Sequence, residues 1–160
     1  MINLRQSENS RGARKLLLIS LLTILFIAVF HYLSLKYSWY WTFKWLDIPV
    51  HILGGFWASL TALWVALKVG HIEKITDYKK RALLIMLGSV FIIGILWEIF
   101  ELIFKITSLS NIGYWQDSLS DISNGVVGGF FAFLYFIKNK SAKNCLISKP
   151  ENNLTLPIKK

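Results

Sequence analysis

The chain reads as an all-α integral membrane protein, a four-helix bundle with both termini on the cytosolic side. Three observations predict this. Hydrophobic residues make up 54% of the 160 residues and charged residues only 17%, where a soluble domain carries about a quarter charged residues; mean hydropathy is +0.49. The charges crowd into the ends and one middle segment, leaving four long runs almost free of them. The basic residues favour alternate connections between those runs, as they do in multi-pass proteins.

A helix crosses a hydrocarbon core of ~30 Å in about 20 residues, and each run meets that length. The first covers 16–35 with no formal charge, the second 48–67, the third 82–104 and the fourth 118–137. Arg11, Arg14 and Lys15 precede the first run as they would a secretory signal. Its length and the lack of a following small-residue cleavage site instead predict an anchor. Residues 1–15 and 139–160 then form cytosolic tails around a transmembrane domain of 16–138. Fifteen lysines and arginines fall in the two tails and the middle connection, against three (Lys36, Lys44 and Lys105) in the other two. By the positive-inside rule both termini face the cytosol. The aromatic segment from Ser38 to Trp45 then lies at the outer interface, where Trp and Tyr rings are half wet.

The formal charge of +9 flanks apolar runs and forms no single patch, which fits anionic lipid headgroups and not nucleic acid. Cys145 is the only cysteine, so neither a disulfide framework nor a thiolate metal site is available within one chain. The sequence carries no Walker loop, His-Glu-x-x-His or Gly-x-Ser-x-Gly elbow, which sets aside those nucleotide, zinc-protease and hydrolase chemistries. Asn153-Leu154-Thr155 matches a glycosylation sequon, but it falls in the expected cytosolic tail.

Five of the nine acidic residues belong to spans or their outer ends: Asp47, Glu98, Glu101, Asp117 and Asp121. Burying a carboxylate in lipid costs at least ~2.5 kcal/mol, so their placement requires a reason. The second span carries Asp47, His51, Gly54 and Ala58; the third Gly94, Glu98, Glu101 and Lys105; the fourth Asp117, Asp121, Asn124 and Gly128. Each set is spaced i, i+4, i+7, i+11 and so forms one stripe on its helix. The three polar ends share one level in the outer leaflet, and the small residues beside them let the helices pack closely. Asn124, Gly54 and Gly128 are thus expected to shape a pocket there.

Carboxylates with one imidazole suit a divalent cation such as Mg²⁺, Mn²⁺ or Zn²⁺. Asp47, His51, Glu98, Glu101, Asp117 and Asp121 are the candidate ligands, with Glu98, Asp121 and His51 the candidate acid/base groups. Such a site could bind the phosphate of a lipid or envelope-precursor headgroup, or polarise it toward hydrolysis or transfer. Two alternatives stand beside this: a proton- or cation-coupled carrier, and a structural accessory subunit whose polar layer only holds helices together. Residue by residue, His51 could be a hydrogen-bonded packing residue, Glu98 and Glu101 could pair with Lys105, Asp117 could cap the fourth helix, and Asn124 could bond between helices. Gly54, Gly55, Gly125, Gly128 and Gly129 read as packing residues, and Trp97 and Trp115 as interface or core aromatics. Ser118, Ser120 and Ser123 lie near acids without an arranged base, and His31 and His71 have no evident partners.

The pattern Asp47-x-x-x-His51-x-x-Gly54-Gly55-Phe56, Trp97-Glu98-x-x-Glu101 and Asp117-x-x-x-Asp121-x-x-Asn124-x-x-x-Gly128 resembles small polytopic bacterial proteins of the YjdF-like type. It is more distantly similar to VanZ-like proteins, whose Asp-Lys-x-x-His, acidic-Gln segment and Asp/Asn/Gly helix come in the same order. Ile48 stands where that pattern has lysine, and Glu101 where it has glutamine. The resemblance covers about residues 45–130. It implies a multi-pass fold, a site in the three stripes and a place at the cell membrane, VanZ being associated with low-level glycopeptide resistance. It implies no particular reaction.

Overall fold

The computed structural model describes residues 2–69, 78–103 and 113–139. Their regular structure is entirely helical: α1 (Ile2–Lys36), a single turn α2 (Trp39–Thr42), then α3 (Asp47–Val69), α4 (Tyr78–Ile103) and α5 (Tyr114–Lys138). A short 3₁₀ turn, Lys44–Leu46, leads into α3. Four segments are long and apolar enough to cross a membrane: Arg11–Lys36, Asp47–Val69, Tyr78–Ile103 and Tyr114–Lys138. The chain is therefore an all-helical, multi-pass membrane protein.

The helices overrun the expected spans at the start of α1, α4 and α5. Lysine and arginine are good helix formers, so Arg14 and Lys15 in α1, and Lys79 to Arg81 in α4, limit the lipid-compatible stretch without ending the helix. At α5 the N-cap is Gly113, at φ 92. That left-handed conformation costs glycine nothing and other residues a steric clash. Asp117 consequently lies in the first turn and does not take the capping role that is the alternative to metal binding; there its charge still favours the helix dipole. Pro49 occupies the first turn of α3, where its missing N–H has no intrahelical acceptor to lose. Phe104 and Lys105, the middle connection with His71, and the tail from residue 140 onward lie outside the described residues.

Helix α3 is central and packs on α5, α1 and α4, with α4 also against α5. The α3–α5 seam is set by glycines. A Cβ on Gly55 would collide with the Gly125 backbone, and one on Gly128 with the Ile52 backbone, while one on Gly129 would come within 3.0 Å of Ser59 Oγ. Small residues allow this approach, and packing is what holds helices together in lipid. One end of the bundle is closed by an apolar cluster that includes Leu16, Leu60, Leu63, Met86 and Phe136. Leu22, Leu25 and Phe26 on α1, and Ile92, Ile95 and Leu96 on α4, are exposed, as side chains facing acyl chains should be. The polar residues gather at the other end.

Candidate metal centre and the cavity beside it

His51 enters the site from the second turn of α3, one turn after Asp47, and Asp121 enters from α5. Their juxtaposition follows from the glycine seam, which brings the N-terminal halves of the two helices close together. His51 Nε2 lies 3.3 Å from Asp47 Oδ1 and 3.5 Å from Asp121 Oδ1. One ligand atom from each residue falls within 4.8 Å of the other two. The Asp121 and His51 side chains are largely enclosed, at 11% and 15% exposure, whereas Asp47 keeps 42%. The centre is thus open on the Asp47 side.

The other expected ligands are placed differently. Glu98 accepts a hydrogen bond from the Ser118 hydroxyl at 2.6 Å, which ties α4 to α5. Glu101 accepts one from Trp97 Nε1 at 2.9 Å, within α4. Asp117 is exposed. None of these three belongs to the group of converging ligand atoms. Among the described residues Asn124 donates within its own helix, to Ser120 Oγ at 3.4 Å, and not between helices. Gly128, expected at the pocket, packs against α3. Gly54 does not: a Cβ there would meet nothing within 4 Å. Its place is on the wall of a cavity.

That cavity, of about 270 Å³, lies among α1, α3, α4 and α5. His31, His51, Glu98 and Asp121 line its polar end, and its remaining walls are mostly apolar. The partners of His31, which its sequence neighbourhood does not reveal, are clear here. Its Nδ1 lies 3.0 Å from the Tyr40 hydroxyl, because the turn at Ser38, at φ 56, folds α2 back toward α1. Burial, with Asp47 adding to it and a Ser34 hydrogen bond opposing, raises the Tyr40 phenol above its ordinary value; a phenol is neutral at pH 7 in any case and can donate to His31. The Trp97 ring sits edge-on to both imidazoles, 6.1 Å from His31 and 6.4 Å from His51. Sequence reasoning took Trp97 for an interface or core aromatic and left Ser118 unassigned. The i, i+4 spacing of Trp97 and Glu101 was a legible signal for the first, but nothing local pointed to the Ser118–Glu98 pair.

Chemically, the centre offers two carboxylate oxygens and one imidazole nitrogen, a donor set that suits a divalent cation. A four-helix membrane protein with this centre at one end matches the family described as Predicted membrane protein (DUF2238) over residues 10–141. That match covers most of the chain, and the chain belongs to this family. Neither the curated proteins nor the solved structures contain a match to it.

Proposed function

We propose that this protein binds a divalent cation between Asp47, His51 and Asp121, and through it holds or processes the anionic headgroup of a lipid or envelope precursor. One observation carries the reading: both carboxylates aim at the same ring nitrogen, His51 Nε2. Two full hydrogen bonds to a bridging histidine would use one ring nitrogen each, whereas a single Nε2 proton could serve both carboxylates only as a weaker three-centre bond. Convergence of three donor atoms on one point is what a cation needs. The imidazole favours Zn²⁺, and the two carboxylates also admit Mn²⁺. The open Asp47 side leaves room for a phosphate oxygen as a further ligand, whose charge the cation would neutralise or polarise. Glu98, on the cavity wall beside Asp121 and His51, is the acid/base candidate on the substrate side.

The excess of lysines and arginines in alternate connections supports an orientation with both termini in the cytosol and the centre in the outer leaflet. The motif order shared with YjdF-like and, more distantly, VanZ-like proteins supports a place at the cell envelope. A carrier would need a polar path through the other half of the bundle. There Ser20 and Thr61 bond one another at 2.6 Å and Ser89 bonds the Met86 carbonyl at 2.7 Å, beside the packed apolar cluster. A purely structural role has one point in its favour: Glu98 and Glu101 both have hydrogen-bond donors within the bundle.

The deciding experiment is total metal analysis of the detergent-purified protein beside a folded Asp121→Asn variant, with the Glu98→Gln/Asp121→Asn double variant as a second comparison. Near-stoichiometric Mn or Zn in the wild type, lost in Asp121→Asn, is expected. Metal absent from the wild type after divalent loading, with the variants changing stability alone, would favour the structural role.

A further inference from the structure

The cavity is lined along α1 from Ile24 to His31, along α3 from Val50 to Ala58, and along α4 from Val90 to Glu98. At a rise of 1.5 Å per residue these stretches are each roughly 10–12 Å long. All three run from a polar end at His31, His51 and Glu98 into an apolar one. Apolar cavities of about 150 Å³ already bind benzene, so a volume of about 270 Å³ has room for a longer apolar group.

Two observations bear on the occupant. First, α1 and α4 each pack on α3, but among the described residues they share no extensive interface; they meet at the polar end, where the His31 and Trp97 rings lie 6.1 Å apart. The gap between them lies within the membrane-crossing stretch of both helices, where the neighbouring molecules are lipids. Second, Gly54 has no close neighbour that demands its small size. Glycine inside a helix costs about 0.5–1 kcal/mol relative to alanine, and the adjacent Gly55 shows what a packing requirement looks like. Gly88 also meets nothing within 4 Å, but it is Gly54 whose open space is the cavity, so a side chain there would project into it.

We infer that the cavity holds one acyl chain of an anionic glycerophospholipid, which enters sideways between α1 and α4 and brings its headgroup to the polar end. This deepens the proposed function and rests on it for the headgroup, while the chain site stands on the cavity, the gap and Gly54.

The test is photolabelling of the purified full-length protein in detergent with phosphatidylglycerol carrying a diazirine on one acyl chain, with labelled residues located by mass spectrometry. Labelling at Ile27 and Val90, which line the cavity, should saturate with probe, while labelling at exposed Leu22 and Ile92 should rise in proportion to it. In Gly54→Leu the cavity labelling should fall about fivefold or more, the least expected from forcing extra atoms into filled space, with labelling at Leu22 and Ile92 unchanged. Non-saturating labelling at Ile27 and Val90 in the wild type overturns the inference whether or not Gly54→Leu folds, as does saturable labelling that a folded Gly54→Leu leaves unchanged. Repeating the wild-type experiment after chelation separates the two readings. Saturable cavity labelling in a protein that holds no metal supports the chain site and leaves the metal reading to fail alone.

Discussion

At the scale of the residue, His51 offers one nitrogen to two carboxylates, so substitutions around it should differ sharply although their chemistry is alike. Asp121→Asn exchanges one charged ligand for a neutral amide and should weaken Mn²⁺ or Zn²⁺ binding by about tenfold or more, at least as much as loss of a supporting outer-shell group. Asp117→Asn makes the same exchange one turn earlier, at an exposed position, and should leave the affinity nearly unchanged. Equilibrium dialysis in detergent distinguishes them, and equal losses would mean that the two carboxylates act as a diffuse field and not as ligands. Trp97→Phe keeps a ring between the two histidines but removes the Nε1 donor to Glu101. Leaving that half-buried carboxylate without its donor should cost about 1–3 kcal/mol, read as a lower unfolding temperature in detergent. The sequence marked Asp47, His51, Glu98, Glu101, Asp117 and Asp121 as one set because helical spacing and span direction act on every residue alike. It could not separate Asp121 from Asp117, nor find Tyr40 for His31, because those outcomes depend on how far α5 is rotated and on one left-handed residue at Ser38.

At the scale of the element, adjacent glycines of α3 have opposite duties. The face of α3 that meets α5 carries Ile52, Gly55 and Ser59, spaced i, i+3, i+7. Gly54 is about 100° around the helix from Gly55 and faces the cavity. The i, i+4, i+7 stripe drawn from Asp47 therefore put the right small residue type at the wrong phase: the pattern showed that a close-packed face exists, and only the rotation of α3 shows which glycine makes it. Substitution with alanine turns this into a signed prediction. Gly54→Ala should stabilise the protein by about 0.5–1 kcal/mol, the backbone entropy of glycine in a helix, since the new methyl meets open space. Gly55→Ala should destabilise it by about 1–3 kcal/mol, the usual effect of overpacking, because the methyl runs into the Gly125 backbone. Unfolding by denaturant in mixed micelles reads both, and a shift of the same sign for both would refute the assigned rotation of α3 against α5. The spans themselves were legible to within a few residues, since length and hydropathy decide whether a helix can cross. Their ends were not, because a helix continues through charged residues that a bilayer core excludes.

At the scale of the whole molecule, the four helices would fit a membrane equally well either way up, and the apolar cluster at one end and polar layer at the other do not by themselves choose. The choice rests on the lysines and arginines, which the positive-inside rule places on the cytosolic face, and it decides which leaflet supplies the lipid. Cys145 provides the means to test it, as the only thiol in the chain. In intact cells a membrane-impermeant maleimide should leave Cys145 unlabelled and should label it once the membrane is permeabilised. In a Cys145→Ser background, a cysteine placed at exposed Ser38, in the turn at the polar end, should react without permeabilisation. The two positions report opposite faces, so an inaccessible site cannot pass for a topological result at both. The expected pattern would put the candidate centre at the outer leaflet, and the proposed headgroup would then come from that side. The reverse pattern would keep the centre and the cavity but hand them the inner leaflet, and the substrate search would move to lipids made and consumed on the cytosolic side.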